Sequence, residues 1–209
     1  MTPPTVNAYY DPQMNNINFP AGILQPPFFD KSMDDAVNFG AIGAVVGHEL
    51  THGFDDEGRQ FDVKGNLRDW WTPKDADAFQ TRTQCIVDEY GGFSVDGELK
   101  LNGKLTLGEN TADNGGLRIA YAALMTSLGG KMPAKRDDLT AQQRYFLAWG
   151  QIWCNNATAE VERLQVQTDP HSIDRFRVNG SVSNMPEFQQ AFVCKVGDAM
   201  VRQKACRVW

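Results

Sequence analysis

The sequence predicts a mainly α fold with a small β part. Two observations carry this: apolar residues recur at helical spacing over 34–50 and 141–153, whereas strand-like runs are confined to two short stretches near the N-terminus. A third is the helix-start signal Thr72-Pro73-Lys74-Asp75, a capping residue followed by proline in the first turn.

Taken in order, Asn7-Ala8-Tyr9-Tyr10 and Ile17-Asn18-Phe19 form the two strands around an Asp11-Pro12 turn, followed by the extended apolar segment Ala21 to Phe29. An exposed strand here is either a peptide-docking edge, since free backbone groups accept an added strand, or a hairpin packed on the core. The helix from Asp34 to Leu50 carries Ala36, Val37, Phe39, Ile42, Val45, Val46 and Leu50 on its apolar positions. Gly40, Gly43 and Gly47 lower its intrinsic propensity, so close packing must hold it. A second helix covers Ala76 to Tyr90, 91–108 is loop and turn, and a third helix follows through Ala123. Lys131 to Thr140 is a polar loop before a helix over Ala141 to Trp153 with Phe146, Trp149, Gly150 and Trp153 on one face. A loop over Asp169 to Gly180 and a closing helix over Met185 to Val201 complete one domain, 1–209, with no repeat and no clear linker.

Bulk properties exclude several classes. A net charge of -6 offers no basic patch for phosphates, so nucleic acid is not an expected partner. Apolar content of 42% and charged content of 22% describe an ordinary globular protein. No apolar run is long enough to span a membrane, and Met1 to Val6 lacks the basic start and apolar stretch of a signal peptide. The four cysteines contain no C-x-x-C pair, which argues against a structural zinc knuckle.

The chemistry concentrates in His48-Glu49-Leu50-Thr51-His52. Two histidines four apart on a helix share one face and reach one metal, with Glu49 beside them. Zinc lowers the pKa of its water and polarises a carbonyl, and the adjacent carboxylate takes the proton as water attacks. A catalytic zinc needs a third protein ligand. His171, the one other histidine, and a glutamate on another helix both qualify, with Glu109 and Asp113 sharing a face at i,i+4. Asp55, in the acidic loop after His52, is as readily a solvated turn residue as a group that holds a ligand histidine from behind.

Several strings in order, NAYY, FPAGILQPPFF, VVGHELTHGFDDEGRQFD, LGENTADNGGL, FRVNG and the final CRVW, resemble the catalytic half of the neprilysin and endothelin-converting enzyme family of zinc metallopeptidases. The resemblance runs from about Val6 to Trp209 and implies a zincin-like, thermolysin-type catalytic domain with one zinc per chain, hydrolysing oligopeptides. It makes His48, His52 and Glu109 the ligands and Glu49 the base. It implies that Asp113 orients a ligand histidine or assists proton transfer, and that Asp55 is a further acidic group behind the ligands. His171 is implied to steady the oxyanion, Arg177 to bind substrate backbone on the primed side, Asn7 and Ala8 to hydrogen-bond the peptide, and Arg207 to lie near its C-terminal end. Ile23, Phe28, Val45, Ile152 and Trp153 are implied to wall an apolar pocket, hence cleavage on the amino side of hydrophobic residues.

Family members are much longer, with a large helical domain capping the cleft. The same resemblance pairs Cys85 with Cys206 and leaves Cys154 and Cys194 without partners. It places Met1 where relatives run on, so this chain is expected to be a fragment or an internal start. Exposed core surface then favours self-association or an upstream portion as partner. The family's habit and the even cysteine count imply an extracytoplasmic parent. The rival expectation is a zinc-binding module with a structural or binding role and little activity.

Overall fold

The computed structural model describes residues 1–209. Its β part is two small antiparallel hairpins. In the first, β1 (Tyr9–Asp11) pairs with β2 (Asn16–Asn18), Tyr10 opposite Ile17. Both strands are displaced from the expected 7–10 and 17–19, because Ala8 is buried beneath the chain and pairing begins after it. In the second, β3 (Ser94–Val95) pairs with β4 (Leu99–Lys100), within a stretch expected to be turn alone.

The expected helix over 34–50 is present but not uniform. After α1 (Asp35–Asn38), capped by the Asp34 side chain accepting from the Ala36 N–H, the chain widens into a π turn over Phe39–Gly43 before α2 (Ala44–His52). In the widened turn the Ile42 N–H donates to the Phe28 carbonyl at 3.1 Å, tying the preceding loop to the helix and seating Phe28. Asp34 also receives the Arg144 guanidinium, at 3.2 Å to each carboxylate oxygen, which pins this start to a helix 110 residues away.

Helix α3 (Pro73–Tyr90) opens as its signal predicts, with Thr72 accepting from the Asp75 N–H. Helix α4 (Leu107–Ser127) crosses α2 almost backbone to backbone. A Cβ on Gly116 would lie 2.4 Å from the His48 amide nitrogen, and one on Gly47 2.6 Å from the Gly116 carbonyl oxygen. The low-propensity glycines are thus what permits the crossing. Helix α5 (Ala141–Ile152) begins with a reciprocal Thr140–Gln143 capping box. Its Tyr145, Phe146 and Trp149 enter a core with Leu117 and Leu124 of α4 and with Val182 and Met185.

Two expectations fail beyond this point. The segment over 169–180 is not a loop throughout: α7 occupies Asp174–Ser183, after α6 (Ala159–Thr168), which the sequence pattern did not reveal. Helix α7 lacks a side-chain cap and strong helix formers; burial of Arg177 and close packing of Gly180 on Tyr90 hold it instead. The closing helix is short, α8 (Pro186–Ala191). It stops because Val193 takes φ 55° and Gly197 φ 102°, so the chain leaves helical geometry well before Val201.

The C-terminal tail returns to α3 through the disulfide Cys85–Cys206, as the resemblance implies, across 121 positions; Cys154 and Cys194 are unpaired. Closing so long a loop restricts the unfolded chain, and the chain-entropy account gives about 4–5 kcal/mol. Urea unfolding of the Cys85→Ala/Cys206→Ala chain should therefore show a midpoint well below that of the oxidised parent. Equal midpoints would mean that tail packing alone holds Cys206, which is 1% exposed.

Candidate metal centre and cleft

Helix α2 presents His48 and His52 on one face, their rings edge to face with centroids 4.5 Å apart. Each Nδ1 is committed to a carboxylate: His48 to Asp113 Oδ1 at 2.8 Å, His52 to Asp55 Oδ2 at 2.6 Å. Both Nε2 atoms therefore turn inward, 3.0 Å apart. From α4, Glu109 reaches them at 3.3 Å (His48) and 3.7 Å (His52). Two bare imidazole lone pairs so close would repel one another, so either a shared proton or a metal ion lies between them. Edges of this length suit tetrahedral nitrogen and oxygen ligands about one zinc, for which bonds near 2.1 Å put donors about 3.4 Å apart. The donor set fits the ion.

His48, Glu49 and His52 offer ligand atoms all within 4.8 Å of one another, so geometry admits Glu49 as a donor too. Electrostatics separate the two glutamates. Burial by itself would raise Glu109, but hydrogen bonds from His171 and His48 and the charge of Arg177 hold it well below the ordinary carboxylate range, as suits an anionic ligand. Burial raises Glu49, which is 4% exposed and makes no hydrogen bond of its own, as suits a base.

Behind His48 and Glu109 lies Arg177. Its Nε and Nη2 each meet Asp113 at 2.7 Å, Nη2 also lies 3.4 Å from Glu109, and the guanidinium stacks 4.0 Å from the Trp153 ring centre. Burial opposes its charge, but Asp113 overcomes that and keeps the group firmly cationic. His171 Nε2 sits 3.1 Å from Glu109 Oε1 and its Nδ1 2.6 Å from Asp169. The bond to Glu109 raises the His171 imidazole, and Ser172 pins this loop to α4 by donating to Asn110 at 2.8 Å.

A cleft runs past these groups, with a cavity volume of about 460 Å³, lined by Asn7, Ala8, His48, Glu49, His52, Glu109, His171 and Arg177. Matching this arrangement, the sequence profile of peptidase family M13 covers residues 7–208. The chain belongs to peptidase family M13. It is 51% identical over 212 residues to endothelin-converting enzyme 1 of Bos taurus, covering all of this chain and 28% of the bovine protein. To neprilysin-3 of Drosophila melanogaster it is 48% identical over 215 residues, covering 100% and 27%. The crystal structure of the zinc metalloprotease ZMP1 of Mycobacterium tuberculosis, in complex with an inhibitor, superposes with a TM-score of 0.96 at 46% identity, covering 100% of this chain and 33% of that one. PepO from Lactobacillus rhamnosis gives 0.85 at 38%, covering 95% and 30%. The chain thus spans under a third of the length of the curated relatives it matches.

In this M13 chain, the apolar end of the cleft is made by Ile23, Phe28, Val45 and Trp153, with Ile152 packed behind Ala8, Ile23 and Val45. Asn7 is exposed at the rim and its Oδ1 accepts from the Ala8 N–H at 2.9 Å. Arg207 is not brought to the cleft: it is exposed and its Nε donates to the Trp209 carbonyl. Sequence reasoning missed Asp169, whose signal was its place two before His171, and missed Tyr10, Glu57 and Phe61 on the cleft wall, which no periodicity distinguishes from core or surface.

Burial pulls the metal-free His48 imidazolium down, but Asp113 and Glu109 outweigh it and raise its pKa from 6.5 to about 10. The raised value means that zinc entering at neutral pH must displace a proton. Apparent zinc affinity should rise about tenfold per pH unit from this group below that pKa. Stability follows the same sign: in the zinc-free chain the His48 contribution is complete below pH 6.5 and fades as pH climbs towards 10. Isothermal titration in buffers of different ionisation enthalpy measures the released proton, and a zinc affinity flat between pH 6.5 and 8.5 contradicts the expectation.

Proposed function

We propose that residues 1–209 act as one catalytic domain, a zinc metalloendopeptidase that hydrolyses oligopeptides on the amino side of hydrophobic residues. The observation that supports this most is the convergence of both Nε2 atoms and Glu109 beside a free, buried Glu49 in an open cleft. One zinc, held by His48, His52 and Glu109, supplies a Lewis acid that polarises the scissile carbonyl and acidifies water.

Glu49 takes the proton of the attacking water on its carboxylate and passes it to the departing amine. His171 Nε2 turns from Glu109 to donate to the oxyanion, where charge develops. Arg177 keeps Nη1 without a partner in the chain, available to a substrate carbonyl, while its other nitrogens and Asp113 position His48. Asn7 and Ala8 carry the peptide along the edge next to β1, and Ile23, Phe28, Val45 and Trp153 take its apolar side chain.

A quenched fluorescent peptide with leucine after the scissile bond tests the reading. Cleavage should vanish with a chelator and return with zinc; cleavage indifferent to chelation overturns it. A second reading is a zinc-binding module with a structural or binding role and little activity. It predicts stoichiometric zinc with no turnover in the same assay. The disulfide supports an extracytoplasmic setting, and no helix is long and apolar enough to cross a membrane. Exposed Leu50, Phe54, Val63, Leu67 and Trp70 support self-association or an upstream portion as partner, and a monomer mass by light scattering removes the first.

A further inference from the structure

Along α2 the cleft wall changes chemistry. Val45, near the start of the helix, packs with Ile23 and Phe28, whereas Gly58, pressed on the helix end, belongs to a stretch of wall with Tyr10, Pro12, Glu57 and Phe61.

The backbone there is held firmly while the Glu57 side chain is not. Asp55 Oδ1 accepts from the N–H groups of Glu57 (2.9 Å) and Gly58 (2.7 Å), while its other oxygen holds His52. Gly58 is pressed on the end of α2, where a Cβ would sit 1.7 Å from the His52 carbonyl oxygen. The Glu57 carboxylate, by contrast, is exposed, accepts one bond from Gln60 at 3.2 Å and takes part in no ion pair. The nearest cation in sequence, Arg59, is turned away and stacked on Trp71 and Phe79 at 5.3 and 5.5 Å. Of all the residues lining the cleft, Arg177 is the one Lys or Arg side chain, and Asp113 neutralises it.

A carboxylate carried on a firmly held backbone without a cation, sharing the cleft wall with Tyr10 and Phe61, is what a guanidinium or ammonium group recognises: ion pairing at the head and ring contact along the stem. We propose that this stretch is a subsite for an arginine or lysine side chain of the peptide, on the amino side of the scissile bond. The placement rests on the peptidase reading, in which the apolar end takes the residue on the carboxyl side, with Glu49 and the two histidines between. The plainer account of Glu57 is a solvated surface acid that touches no substrate.

Peptides carrying arginine at each of the three positions before the scissile bond in turn, paired with glutamine at the same place, separate these accounts. At low salt one position should favour arginine about fivefold in kcat/KM, a preference that fades as salt screens it. Glu57→Gln should bring that ratio to about one, and Glu57→Lys should turn it towards a glutamate peptide. A turn that merely supported the fold would lower both members of a pair alike and leave the ratio where it was. The same pairs titrated onto the zinc-loaded Glu49→Gln chain give the preference as a ratio of Kd values without turnover. Failure of catalysis and failure of the subsite are then separate results. Equal members of every pair in both assays, or a preference that survives Glu57→Gln, overturns the proposal.

Discussion

Replacing Glu49 by glutamine should lower kcat about 10³-fold while zinc content stays at one per chain. The size follows from removing a positioned general base, which is worth between about 10² and 10⁴ in rate. Zinc is retained because Glu109, and not Glu49, sits against both imidazoles and is held anionic by His171 and Arg177. The isosteric amide keeps the volume of a residue that is 4% exposed, so unfolding is not the cause of the loss. Zinc by atomic absorption and kcat on a quenched peptide decide it. Unchanged turnover removes Glu49 from the mechanism, and loss of zinc with turnover makes it a ligand instead.

The second large effect is structural. Gly116→Ala should destabilise the chain by about 3 kcal/mol and weaken zinc binding at least about tenfold, although alanine in a helix interior ordinarily gains about 1 kcal/mol over glycine. The added Cβ would lie 2.4 Å from the His48 amide nitrogen and 2.7 Å from the Ala44 carbonyl oxygen. These are backbone atoms of the ligand-bearing helix and cannot swing aside. Moving α4 outward separates Glu109 from both Nε2 atoms and Asp113 from His48 Nδ1. Gly43→Ala is the control: its Cβ meets nothing nearer than 3.4 Å, so it should be neutral or stabilising. Urea midpoints and competitive zinc titration measure both; a Gly116→Ala chain within 0.5 kcal/mol of its parent would show that the tight crossing is dispensable.

These two expectations differ in how early they were legible. Glu49 stands between two histidines at i and i+4, and a helix alone puts those three groups side by side. Gly116 lies 68 positions after His48, and in the sequence it is one more small residue of low helix propensity. Only the crossing of α2 and α4 shows that its missing side chain lets the two backbones touch beside His48. Helix α7 makes the same point in reverse. Its residues argued for a loop, and a buried guanidinium held by Asp113 supplies what local propensity does not.

By itself, then, the sequence determined what is local. The spacing of HELTH, the capped start of α3, the apolar faces of α5 and the shortness of the strands all depend on backbone periodicity within a turn or two. Its ordered motifs also implied the family, and with it a third ligand that spacing left open between His171 and a glutamate. Tertiary structure decided which distant carboxylates face which imidazole nitrogens, why Arg177 is buried, that Arg207 stays outside the cleft, and that Glu57 faces it unpaired. Such matters turn on packing between segments tens of residues apart. There a glycine that lets two backbones touch, or an arginine that neutralises a buried aspartate, sets the geometry, and no local pattern records it.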